Sequence, residues 1–416
     1  MTFNTWTWIF LLALAGSVVI HFLLSRRHIR HVSVHRSQVP EDFADRVSLA
    51  DHQKAADYSL AKVRLRLVDY VISVVLLLIW TLGGGLDLLD SVWRSSGLDG
   101  LWLGVGFMLS AFAISSLLDL PSDIYRTFVM EERFGFNKMT PATFVSDIAK
   151  NSLVFLVIGI PLLALVLWIM QSTGSWWWLY VWLTWLGFSV LMMWAYPAFI
   201  APLFNKFRPL EDAALRDRIL RLLERNGFES NGIFVMDGSA RSTHGNAYFT
   251  GLGSNKRIVF FDTLLNELTH EEIEAVLAHE LGHFKCQHIV KRMSILAAIS
   301  LAGLALLGWV INTDWFYSGL GIEQPSTYMA LTLFMMISPV FMFYLQPVFS
   351  HISRQHEFEA DDFAAGQAHT RNLINALVKL FKGNANTLTP DPLYSAFHDS
   401  HPPAPIRIAH LESKPA

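Results

Sequence analysis

Seven stretches of this chain, at about 6–24, 70–89, 101–120, 153–170, 176–197, 293–311 and 328–350, are apolar and long enough to span the roughly 30 Å hydrocarbon layer of a bilayer. Inside lipid a backbone must satisfy its own hydrogen bonds, so each stretch is expected to be a transmembrane helix. At 416 residues the length alone would suit two or three soluble domains, but composition argues otherwise. Hydrophobic residues make up 52% and charged residues 16%, with 14 Trp and 30 Phe, a polytopic membrane profile. The formal net charge of -3 gives no pointer to nucleic acid, and none is expected as a partner. A single cysteine, Cys286, excludes an intramolecular disulfide framework.

Lys and Arg placement orients the spans. The first apolar run has no basic residues before it and is followed by Arg26, Arg27 and Arg30, so it reads as an anchor rather than a cleaved signal. With the N-terminus outside, the outer loops are about 1–5, 90–100, 171–175 and 312–327, and Arg94 is the one basic residue of the 32 that falls in them. That asymmetry follows the positive-inside rule and puts the 201–292 block and the C-terminus in the cytoplasm. Two spans separate these blocks, so both lie on one face and can meet. The compact loops fit a bacterial inner membrane better than an endoplasmic reticulum. Trp176-Trp177-Trp178 marks an interface, and Pro161 and Pro339 are expected to kink their helices.

The chemistry is concentrated in His279-Glu280-Leu281-Gly282-His283. On a helix, positions i and i+4 share a face, so both imidazoles can reach one zinc ion, with Glu280 placed to take a proton from an attacking water. The helix itself is predicted. Thr269 and Glu272 form a capping box, and Ile273, Val276, Leu277 and Leu281 make an apolar stripe, in a helix that is expected to run on into the sixth span. Upstream, 211–225 reads as an amphipathic helix, 233–236 and 258–261 as strands, and 246–249 as a third strand at an edge.

A catalytic zinc takes three protein ligands and leaves a position open. The third is expected just after the seventh span, in His356-Glu357-Phe358-Glu359-Ala360-Asp361-Asp362. Glu357 and Asp361 share a helical face, one suited to bind the metal and the other to orient an imidazole, but spacing does not choose among Glu357, Glu359 and Asp361. Cys286 has no partner cysteine, His288 reads as a polar boundary residue, and His21 as an interface or cavity residue.

These two motifs together resemble the zinc metalloproteases of the Ste24 type, the CAAX prenyl proteases of peptidase family M48. The likeness extends to the stretch from Glu131 to Lys138, to Asp237-Gly238-Ser239-Ala240-Arg241-Ser242 and Asn246-Ala247-Tyr248-Phe249, and to His401-Pro402-Pro403 with Arg407. The resemblance implies His279, His283 and Glu357 as zinc ligands, Glu280 as general base and Asp361 as a residue that orients a ligand. It also implies Asn246 and Ala247 on an edge strand that pairs with substrate, and His401 and Arg407 at the scissile carbonyl. One Zn2+ per chain and a chamber within the spans go with it.

The expected fold is mainly α, a polytopic membrane protein of seven transmembrane helices with a zincin-like cytoplasmic catalytic region that carries a small β-sheet. Spans one to five occupy 1–200, the catalytic region 201–292, spans six and seven 293–350, and the part completing the zinc site 351–416. The expected function is an integral-membrane zinc endopeptidase that removes the C-terminal tripeptide after a prenylated cysteine. The alternatives are a quality-control protease acting on misfolded or stalled membrane proteins and a seven-span transporter or channel. Peptides or proteins, prenylated ones among them, and the lipid bilayer are the expected partners.

Overall fold

The computed structural model describes residues 3–250 and 257–414. Its longer helices, in chain order, are α1 (Thr5–His35), α2 (Leu49–Trp80), α3 (Gly85–Ser95), α4 (Gly100–Tyr125), α5 (Pro141–Ser172), α6 (Trp177–Ala195) and α7 (Ala213–Arg225). They continue with α8 (His270–Lys285), α9 (His288–Val310), α10 (Thr327–Met342), α11 (Gln346–Ala365), α12 (Thr370–Gly383), α13 (Pro392–His398) and α14 (Ala404–Glu412).

Among the described residues six helical runs are long and apolar enough to cross a membrane, or seven if the bent pair α2 and α3 counts as one span. The second expected span, 70–89, is therefore not one straight helix. It breaks after Trp80 and resumes at Gly85 with a 53° bend. The cause is the triplet Gly83-Gly84-Gly85. Gly84 sits at φ +76°, a conformation that side chains rarely adopt, and a Cβ on Gly83 or Gly85 would lie 2.8 Å from the Ile79 carbonyl. Pro161 is accommodated inside α5, whereas α10 ends three residues after Pro339 and passes through a tight turn, Phe343–Leu345, into α11. The expected limits at 292/293 and 350/351 fall inside α9 and α11.

Among the described residues two large cores and three smaller apolar clusters hold the molecule. Phe10, Phe107, Met108, Leu167, Leu307 and Met329 belong to the one between the apolar helices. The outward faces of those helices expose Leu12, Val71, Leu153, Val157, Leu183 and Trp309, the surface that lipid would cover. The second core joins α7, α8 and α12 to a four-stranded sheet through Leu215, Ile219, Phe260, Ile273, Leu277, Leu281 and Leu373.

The sheet consists of β1 (Phe207–Pro209), β2 (Ile233–Met236), β3 (Ala247–Thr250) and β4 (Arg257–Phe261), in the order β1-β2-β4-β3. β2 and β4 run parallel, and β3 lies antiparallel to β4 at an edge, with Ala247 opposite Phe260. β1, three residues long and ending in proline, carries no alternating pattern that sequence reasoning could detect. Asp212 caps α7, which starts two residues later than the pattern predicts.

Thr269 and Glu272 form their capping box at the start of α8. That helix does not run into the next. Gln287, at φ +57°, ends it, and α9 starts anew at His288. α8 packs on α11 almost backbone to backbone: a Cβ on Gly282 would lie 2.8 Å from Ala360 Cα and 3.0 Å from its carbonyl oxygen. Gly282→Ala is expected to force the helices apart and to cost about 1–3 kcal/mol. The check is the midpoint of thermal or denaturant unfolding in detergent, which should fall.

Candidate active site

The α8–α11 contact sets two rows of polar side chains against each other. From α8 come His279 and His283, from α11 Glu357 and Asp361, each pair one turn apart. His279 Nε2 lies 3.2 Å from His283 Nε2. The same two nitrogens lie 3.5 and 3.4 Å from the two oxygens of Glu357. Glu357 and Asp361 are 3% and 0% exposed.

The other ring nitrogens fix the tautomers. His279 Nδ1 is 2.8 Å from Asp361 Oδ1, so its proton sits there and Nε2 keeps a lone pair. His283 Nδ1 is 2.9 Å from His288 Nδ1, and His288 Nε2 is 2.9 Å from Glu359 Oε2. Glu359 therefore accepts from His288 Nε2–H, and His288 Nδ1 accepts from His283 Nδ1–H. Both Nε2 lone pairs then face a carboxylate, and Glu357 Oε2 is buried with no hydrogen bond. Acceptors crowded together in this way repel unless a proton or a metal cation lies between them. Ligands placed 2.0–2.1 Å from a tetrahedral ion are about 3.3 Å apart, which the observed spacing matches. His279, His283 and Glu357 thus fit a metal ion, each offering a ligand atom within 4.8 Å of the others'.

Glu280 follows His279 on α8. It makes no hydrogen bond or ion pair among the described residues, and burial pushes its carboxyl above the usual carboxylate range. A carboxylate without a partner beside three candidate ligands is placed to handle a proton. His401 Nε2 lies 3.2 Å from Glu357 Oε1, while its ring stays largely exposed. Arg407, on α14, is buried and binds Asp361 through two nitrogens, at 2.9 and 2.5 Å, with Nη1 3.5 Å from Glu357 Oε2. The resemblance implies contact of Arg407 with the scissile carbonyl, and Nη1, the nitrogen not bound to Asp361, lies beside the candidate ligand Glu357. Two of its nitrogens are held by Asp361, and the ion pair compensates charge behind the ligands.

Asn246 and Ala247 lie where the edge strand begins. The Asn246 carbonyl accepts from Phe261 N–H at 3.0 Å, and Asn246 Oδ1 accepts from Ala247 N–H at 2.8 Å. β3 pairs with β4 along one side, leaving its other side open to an added strand.

Sequence reasoning missed His288 and the use of Glu359. The signal was present as His288 five residues beyond His283, but the turn at Gln287 that folds it back has no clear sequence mark. Cys286, His288 and Glu359 also cluster tightly enough for a metal. The hydrogen bonds of His288 to His283 and Glu359 instead make this a support for the first site.

This fold and site define a membrane-embedded metallopeptidase. Residues 28–206 match the family model described as CAAX prenyl protease N-terminal, five membrane helices, and residues 209–414 match Peptidase family M48. The chain belongs to the M48 family, as a protease of the Ste24 type. The CAAX prenyl protease 1 homolog of Dictyostelium discoideum is 34% identical, over 98% of this chain and 97% of that protein. CAAX prenyl protease 1 of Saccharomyces cerevisiae is 35% identical (90% and 89%), and the Homo sapiens homolog 31% (94% and 92%). The crystal structure of S. mikatae Ste24p superposes with a TM-score of 0.89 at 31% identity, covering 99% of this chain and 100% of that one. A multi-pass, metal-dependent enzyme acting on peptides follows from the family.

Disconnecting His283 from its support is expected to weaken metal binding. His288→Ala or Glu359→Gln should reduce metal affinity by about 10–100-fold, measured by competition with a chromophoric chelator on the purified protein.

Proposed function

We propose that this chain is a zinc endopeptidase that removes the C-terminal tripeptide from proteins ending in a prenylated CAAX sequence, working at the cytoplasmic membrane face. The observation that carries the reading is the convergence of His279, His283 and Glu357 beside an unpaired Glu280 and an open strand edge. Two imidazoles and a carboxylate suit zinc among the available divalent metals. Zinc held there supplies Lewis acidity, polarising a carbonyl and lowering the pKa of water.

The protein's own groups do the rest. The substrate backbone adds to β3 beside Asn246 and Ala247, which fixes its register. Glu280 takes the proton of the attacking water and passes it to the leaving amine. His401, exposed and next to Glu357, donates to the oxygen on which negative charge develops. Asp361 orients His279, and Arg407 holds Asp361 and balances the carboxylates. The distribution of Lys and Arg supports the cytoplasmic placement.

A prenyl chain needs an apolar receptacle within the membrane helices. A cavity of about 670 Å³ lies between α1, α2, α4 and α10, lined largely by apolar side chains such as Leu77, Trp80, Val340 and Phe343. That volume falls within the roughly 300–1,000 Å³ typical of ligand pockets. Gln346 and Phe349 line it and also a second cavity of about 370 Å³ that reaches His398 and Ser400, next to His401. The names of the relatives, CAAX prenyl protease 1, point to the same substrate class.

The test is cleavage of a farnesylated CAAX peptide by purified protein in lipid or detergent. Wild type should cut it, chelation should stop the reaction and zinc restore it. Glu280→Gln should bind metal normally yet lose about 10²–10⁴-fold in rate. Cleavage of unmodified membrane proteins with no turnover of any prenylated peptide would replace this reading with quality control. Full activity in Glu280→Gln would remove Glu280 from the mechanism.

A further inference from the structure

A separate cavity of about 290 Å³ opens beside the active site, with Lys62, Arg66, Asn386, His398, Asp399 and His401 in its lining. His401 belongs to both, so the pocket is continuous with the catalytic centre. Lys62 and Arg66 stand one turn apart on α2 and face it together. Neither forms a salt bridge among the described residues. Lys62 Nζ rests 4.1 Å above the Tyr58 ring, and Arg66 Nη1 donates to the Tyr394 hydroxyl at 2.9 Å. Asp399 is the one carboxylate in this lining, and burial pushes its carboxyl above the usual range, which weakens it as a counter-charge. Two cations facing a pocket with one carboxylate in its lining suit an anionic ligand.

An antiparallel peptide on the open edge would bring its C-terminal end there. β3 runs from Ala247 to Thr250, so a peptide added antiparallel to its open edge runs the other way. The peptide's C-terminal end then emerges at the Ala247 end. The cavity is tied to that end. Gly245 N–H and His244 Nδ1 contact Asn384 Oδ1 at 3.2 and 3.1 Å, two residues before Asn386 of the lining. His244 Nε2 lies 3.6 Å from Glu131, which accepts from the Tyr58 hydroxyl at 2.6 Å, and that ring supports Lys62.

We propose that Lys62 and Arg66 form a subsite for the free α-carboxylate at the C-terminus of the peptide substrate. The proposal rests on the protease reading above. A carboxylate in a partly desolvated pocket is held by charge-assisted hydrogen bonds, and a guanidinium offers two parallel donors to it. The subsite fixes the end of the chain, so cleavage falls at a set number of residues from the C-terminus.

The experiment compares two fluorogenic peptide pairs, one farnesylated and one unmodified, each prepared as the C-terminal acid and as its C-terminal amide. Wild-type kcat/KM should favour the acid by about 10–100-fold, the range of a charge-assisted hydrogen bond or two. In the Lys62→Gln/Arg66→Gln double variant, checked for normal metal content, the acid-to-amide ratio should fall towards one, mainly through KM. Lys62→Arg should retain a preference for the acid. Equal wild-type rates on acid and amide, with cleavage still dependent on Glu280, would overturn this inference and leave the protease reading standing; that comparison needs no variant. A wild-type ratio preserved in the double variant would overturn the assignment to these residues. Absence of Glu280-dependent cleavage of every peptide would overturn the protease reading and this inference with it.

Discussion

Between Gly282 and Ala360 there is no room for a side chain, and every distance in the site depends on that contact. Two helices from segments about 75 residues apart cross backbone to backbone. Only at that separation can His279 and His283 reach the oxygens of Glu357 within 3.5 Å. Dispersion and apolar burial hold the crossing: Leu281 on α8 and Ala364 on α11 belong to one buried cluster with the sheet and α12. The glycine in the five-residue motif therefore acts in packing while its neighbours act in chemistry.

Burying several carboxylates and imidazoles together is unfavourable unless each is compensated. Compensation is divided here among three devices. Arg407 neutralises Asp361 through two contacts. His288, held by Glu359, accepts a hydrogen bond from His283 Nδ1–H. The remaining deficit, two nitrogen lone pairs and a buried carboxylate oxygen, matches the requirement of a dication. Glu280 stands outside this scheme, without a partner among the described residues, as the proton-carrying role proposed for it needs.

Much of this was legible in the sequence because it depends on short-range rules. The spans follow from apolar length, the α8 start from the Thr269–Glu272 capping box, and the facing of His279 with His283 and of Glu357 with Asp361 from the 3.6-residue period. The strand at 246–249 was visible within one residue. Other features depend on tertiary contacts that no local pattern encodes. The choice among Glu357, Glu359 and Asp361 rests on how α11 is rotated against α8. The break at Gln287 puts a residue other than glycine at φ +57°, against its intrinsic preference, so sequence favoured a continuous helix. His288 therefore looked like a membrane-boundary residue, although the turn returns it to His283. The bend at 81–84 was readable from three successive glycines, yet hydropathy averaged across it.

The break at Gln287 also divides the site mechanically. α11 runs unbroken for 20 residues, about 30 Å, from the turn below Pro339 past Glu357 and Asp361. Glu357 and Asp361 thus share one rigid element that continues from the seventh apolar run. α8 is joined to its neighbouring span through a left-handed joint, and takes its orientation from the sheet and from α11 instead. The candidate carboxylate ligand thus sits on a helix continuous with an apolar run, and the two imidazoles on a helix held in the sheet-bearing core.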